Sequence, residues 1–181
     1  MATALPPWPV CQNYHPECEA AIDNQVKLEM HASYVYKSMS CYFDGGDPAL
    51  KHFSLFFLQQ SKKEVGHAHY LLGLQNRRAE DASLCNNPEP EEEKWESGLR
   101  VMECALHLAK RVHQSMLNLH QVITEKHGKI FHFLQCDYLR EHEMFIQELG
   151  DHITNLRKLG APEGNLPESV FDNFTLGSSK N

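Results

Sequence analysis

Apolar residues recur at alternating steps of three and four along four long stretches of this chain, the spacing that lines one face of an α-helix. The stretches cover roughly residues 17 to 44, 49 to 78, 96 to 127 and 129 to 159, and none contains proline. Each would be about 45 Å long at 1.5 Å per residue. Four helices of matched length predict an all-α fold, a four-helix bundle.

The inward stripe of the first stretch reads Ile22, Val26, Glu29, Ser33, Tyr36, Ser40 and Phe43, and that of the second Phe53, Phe57, Gln60, Glu64, His67, Leu71 and Leu74. Both turn polar midway. The third, Met102, Ala105, Ala109, Val112, Met116, Leu119 and Ile123, is apolar throughout. The fourth passes through Tyr138, His142, Phe145, Leu149, Ile153 and Leu156, and only His142 is plainly polar.

The connections set the topology. Gly45-Gly46-Asp47-Pro48 makes a short first link, so the first two helices form an antiparallel hairpin, as do the last two around Gly128. The middle link, from about Arg78 to Trp95, is polar and acidic and contains prolines. Its length suits a crossover along the bundle. Its glutamates, between Glu89 and Glu93, read as a solvated loop. After Gly160-Ala161-Pro162, a short fifth helix is expected over about 165 to 176, with Pro167 near its start and Gly177 ending it. About 1 to 13 form a flexible N-terminus. The whole chain, 1 to 181, is one domain.

Composition narrows the function. Lys plus Arg number 17 against 24 Asp plus Glu, a formal charge of −7, which argues against general affinity for nucleic acid. No stretch approaches the length of a membrane span, and the start lacks the pattern of a secretory signal. The six cysteines are scattered with no C-x-x-C pair, which fits a reducing, cytoplasmic setting; nuclear presence stays open. Twelve histidines hint at metal binding without establishing it.

Burying an ionised side chain costs several kcal/mol unless it is paired or metal-bound, so Glu29, Glu64 and His67 in the middle of apolar stripes need a reason. Glu64-Val65-Gly66-His67 is a Glu-x-x-His pair with both side chains on one helix face, the unit from which bundle-core carboxylate sites are built. Such a pair can also simply hydrogen-bond to itself. Glu29 on another stripe, with Tyr36 two turns along the same face, favours a metal. Carboxylate oxygens with an imidazole suit iron or manganese, and zinc can use the same set.

Across nearly its whole length the chain resembles the ferritin heavy chain family. The resemblance is carried by Gln12-Asn13-Tyr14-His15, Ala32-Ser33-Tyr34-Val35-Tyr36, Trp95-Glu96-Ser97-Gly98-Leu99, Met102 to Leu108, and Glu148-Leu149-Gly150-Asp151-His152 through Gly160-Ala161-Pro162-Glu163. It is also similar to the divergent mammalian ferritin heavy polypeptide-like group. The resemblance implies a twenty-four-subunit cage, homomeric or mixed with other ferritin chains, that oxidises ferrous iron at a di-iron centre and stores ferric mineral. It also implies roles for individual residues. Glu29 and His67 match ligands of the first iron, Glu64 the carboxylate bridging both irons, and Tyr36 the tyrosine beside the centre.

The second half of that centre is altered. Ala109 stands where the family supplies a glutamate to the second iron, Lys63 replaces another glutamate, and His142 replaces a glutamine and can itself ligate iron. At an assumed ~6 Å and an effective dielectric near 20, Lys63 would repel each unit of metal charge by about 3 kcal/mol. The family's acidic threefold-channel positions correspond to His132 and Gln135, and its nucleation glutamates to Lys63, Gly66 and His69. The resemblance therefore implies an iron-binding cage subunit with weak or absent ferroxidase activity. Two alternatives stand beside it: a modified ferroxidase using His142, and an iron-free structural cage or scaffold.

Overall fold

A computed structural model describes residues 16–46, 49–74, 95–127, 132–161 and 166–178, without the side chains of 74, 126, 127 and 132–136. Four long helices dominate: α1 (Pro16–Asp44), α2 (Lys51–Leu74), α3 (Gly98–His127) and α4 (His132–Lys158). A short α5 (Leu166–Phe171) runs directly into one π-helical turn, Asp172–Leu176. There is no strand among the described residues.

Local chemistry explains the ends. Pro16 occupies the first position of α1, where a missing N–H costs nothing, and Glu17 and Glu19 in the first turn face the positive end of the helix dipole. Arg157 and Lys158 complement the negative end of α4. That helix stops at Gly160, whose φ of +95° lets the chain reverse while Ala161 donates its N–H to the carbonyl of Leu156.

The sequence stripes become the bundle interior. Every stripe position of α1 and α3 is buried, as are those of α2 up to Leu71 and those of α4 from His142 onward; Tyr138 is half-buried. α1 packs chiefly on α2 and α3 chiefly on α4, with α1 also against α3. Two apolar clusters result. The larger contains the stacked Phe43, Phe53 and Phe57, with Met102, Leu149 and Phe171; the smaller contains Ile22, Val26, Leu71, Met116, Leu119 and Ile123.

The C-terminal segment is tied down by carboxylates. Asp172 accepts the N–H of Phe53 at 2.8 Å and the Nδ1–H of His52 at 3.0 Å, capping the start of α2. Glu168 accepts the N–H of Gly98 at 2.6 Å and of Leu99 at 3.3 Å at the start of α3. A Cβ at Gly98 would come within 2.9 Å of that carboxylate, so a larger residue there would have to displace the Glu168 side chain. The expected fifth helix is thus present, but only its first half is α-helical.

The expected flexible N-terminus, the crossover between α2 and α3 and the turn around Gly128 lie outside the described residues. No helix among the described residues is long and apolar enough to cross a membrane.

Candidate metal centre

Between the two apolar clusters the interior turns polar. Glu29 comes from α1, Glu64 and His67 from α2 and His142 from α4, each at most 5% exposed. One ligand atom from each lies within 4.8 Å of the others. His67 Nδ1 is 3.6 Å from Glu64 Oε2 and 3.9 Å from Glu29 Oε2. His142 Nε2 is 3.8 Å from Glu64 Oε2 and 3.9 Å from Glu29 Oε1.

The outer atoms of Glu29, Glu64 and His67 are already satisfied, whereas His142 Nδ1 is buried without a partner. Gln25 donates to Glu29 Oε1 at 2.9 Å and Gln60 to Glu64 Oε1 at 2.7 Å, each from one turn earlier on the same helix. Ser115 on α3 in turn donates to Gln25 Oε1. His67 donates from Nε2 to Glu141 Oε2 at 3.0 Å, which turns its Nδ1 inward.

The inner atoms are not satisfied. Glu29 Oε2, Glu64 Oε2, His67 Nδ1 and His142 Nε2 are buried without a hydrogen-bond partner. Orphaned buried polar atoms are costly, and four that converge on one point fit a cation at that point. Without one, protons compensate. Burial, then the neighbouring Glu64, hold the Glu29 carboxyl well above its usual range. Burial also pushes Glu64 up, but the facing Glu29, His142 and His67 outweigh it and hold its carboxyl below the usual range. Burial alone would lower His67, yet the facing Glu29 and Glu64 raise it to about 10. A cation entering this site displaces those protons.

Tyr36 is fully buried against Phe57 and Phe145, and its hydroxyl has no partner. Burial, then the charges of Glu64 and Glu29, raise it well above its usual range, so it stays a neutral phenol. Ala109 is buried among apolar neighbours and supplies no donor.

Lys63 is exposed, lining a cavity of about 470 Å³ with His67, Tyr70, Asp137, Tyr138 and Glu141. Solvent and the two acidic neighbours reduce the repulsion expected from sequence. Gly66 and His69 are also exposed. The side chains of His132 and Gln135 lie outside those described.

The structure thus gathers Glu29, Glu64, His67 and His142 into one site and adds Gln25, Gln60, Ser115 and Glu141 around it. Sequence reasoning missed three of these four supports, Gln25, Ser115 and Glu141, and placed Gln60 only on the inward stripe. A signal was present for the glutamines, because Gln-x-x-x-Glu occurs on both helices and ends each time on a ligand. His113 also escaped notice. It sits on α3 with its ring 6.4 Å from that of His142 and its Nδ1 buried without a partner. Burial, then the charge of His142, lower its pKa.

All four converging residues fall within the span matched by a known family. The sequence model of the ferritin-like domain matches residues 19–159.

Proposed function

The chain belongs to the ferritin family, and on that premise we propose that it is an iron-storage cage subunit of the divergent heavy-chain-like kind, whose di-iron centre is reduced to a single-ion site. Iron binds through Glu29, Glu64 and His67, with His142 completing the set. The second iron position is impaired because Ala109 brings no carboxylate. Intrinsic oxidation of ferrous iron is weak or absent, and active subunits in a mixed cage would supply that step.

The observation that carries this reading is the convergence of four orphaned inner atoms from two carboxylates and two imidazoles. Two ionised carboxylates balance one divalent ion, whereas a second would leave two uncompensated positive charges in a buried site. Glu64 is also poorly placed to bridge two ions, since its Oε1 is held by Gln60 at 2.7 Å.

His142 favours a second reading, a modified ferroxidase, because its Nε2 stands 3.8 Å from Glu64 Oε2. Anaerobic loading of chelator-treated protein with ferrous iron, followed by oxygen, separates the two. One iron per subunit with slow ferric formation supports the proposal; two irons with fast oxidation overturn it in favour of the ferroxidase. Light scattering tests the cage, and a monomer would exclude it.

A further inference from the structure

The four inner atoms are arranged for an ion of low coordination number, and we propose that this centre is a closed, four-coordinate site that prefers a redox-silent ion of the zinc class over ferrous iron. The proposal rests on the reading that the centre holds a single divalent ion.

Donor count is the first argument. Gln25 and Gln60 each hydrogen-bond one oxygen of Glu29 and Glu64, which leaves Oε2 as the one unpartnered oxygen that each carboxylate offers an ion. His67 offers only Nδ1, because its Nε2 is engaged by Glu141. His142 adds Nε2, and Ala109 adds nothing. Four side chains thus give four donors. Two imidazoles with two monodentate carboxylates are a donor set zinc accepts.

Spacing is the second argument. With metal–ligand bonds of about 2.0–2.2 Å, a tetrahedron has edges of about 3.3–3.6 Å, while neighbouring octahedral positions are about 2.8–3.1 Å apart. Any four octahedral positions include at least four neighbouring pairs among their six. Among these donor atoms three pairs are separated by 3.6, 3.8 and 3.9 Å, so at most three of the six could have the short spacing. These three separations must contract by only a few tenths of an ångström to reach tetrahedral edges. The site would need far more rearrangement to give three donors on one face with open positions, the setting in which ferrous iron meets dioxygen.

Where both ions are present, such an ion would take the centre in place of the iron it otherwise binds, while the bundle around it stays intact. The subunit would then build cage wall without contributing oxidation.

The test uses the full-length protein, stripped with chelator and titrated anaerobically with cobalt(II), whose visible spectrum reports geometry. We expect one cobalt per subunit with the intense absorption of four-coordinate cobalt, abolished by one equivalent of zinc and persisting in excess ferrous iron. His142→Gln should remove that absorption with helicity by circular dichroism unchanged; His142→Asn serves if the first variant does not fold. One cobalt per subunit with the faint six-coordinate spectrum, or displacement of zinc by ferrous iron, would overturn the zinc-class assignment and leave the single-ion reading standing. Two cobalt ions per subunit, or none, would overturn the single-ion reading itself.

Discussion

At the level of the buried centre, the α1–α2 hairpin and helix α3 present opposite chemistry to the same interior. The hairpin contributes Gln25, Glu29, Ser33, Gln60, Ser61, Glu64 and His67, all buried. Helix α3 contributes Ala105, Ala109, Val112 and Met116, buried as well. The apolar solution needs no partners. The polar one requires a lattice of hydrogen bonds, including Ser33 to Ser61 at 3.0 Å and Ser61 to the Ser33 carbonyl at 2.8 Å. Folding alone favours the α3 solution, because buried ion clusters rarely outdo well-packed apolar side chains. On the proposed function, the hairpin's polar face is explained by the ion it would bind, and α3 shows what the position becomes when binding is not required.

The sharpest way to break this comparison is to remove one member of the hairpin's cluster. In chelator-treated protein, Glu64→Leu leaves the His67 and His142 imidazoles facing an incomplete partner set and should destabilise by about 3–5 kcal/mol in urea unfolding. Replacing Glu29, Glu64 and His67 together by leucine or methionine should be close to neutral or stabilising by about 1–4 kcal/mol. A loss of several kcal/mol in the triple variant would make the cluster structural and end the contrast with α3.

The supports around the ligands come next in size. Gln60→Met keeps volume but frees Glu64 Oε1, and metal affinity should fall about 10–100-fold, as for other groups that orient ligands. Calorimetric titration with cobalt or zinc measures it. An unchanged affinity would show that the glutamine is only filling space.

The contrast can also be erased from the other side. Ala109→Glu with Lys63→Glu gives α3 an anionic donor and restores a second carboxylate near the centre. Ferrous oxidation should rise at least about tenfold, worth about 1.4 kcal/mol of barrier. No change would mean that these two losses are not what limits the chemistry.

The same contrast decided what could be read from sequence. Stripe spacing alone identified the buried positions, because a three-four repeat over about thirty residues has few ways to pack. Glu29, Glu64, His67 and His142 were visible because each interrupts such a stripe. Gln25 and Ser115 were not, since both lie off the stripes drawn from spacing, and Glu141 is half-exposed and acts through His67. The caps made by Asp172 and Glu168 join residues 119 and 70 positions apart, and no local pattern encodes such pairs.

The smallest effect per step is a slope with pH, and it isolates the hairpin's cluster from the rest of the molecule. In metal-free protein His67 titrates at about 10 instead of 6.5, because Glu29 and Glu64 face it. Below pH 6.5 both folded and unfolded chains hold that proton, and the stabilisation is complete. Between 6.5 and about 10 the unfolded chain releases the proton while the folded one keeps it, so stability falls as pH rises, by at most about 1.4 kcal/mol per unit. Above about 10 the contribution is gone. The raised Glu29 acts in the same direction from pH 4.5 upward, and the lowered Glu64 contributes stability above 4.5 that is lost as pH falls further. A bound ion replaces the displaced protons and should remove the alkaline slope. Urea midpoints at several pH values between neutrality and about pH 9.5, with chelator and with zinc, measure the difference. Parallel curves in the two conditions would place the titrating group elsewhere, whereas the triple apolar variant should lose the slope with or without metal.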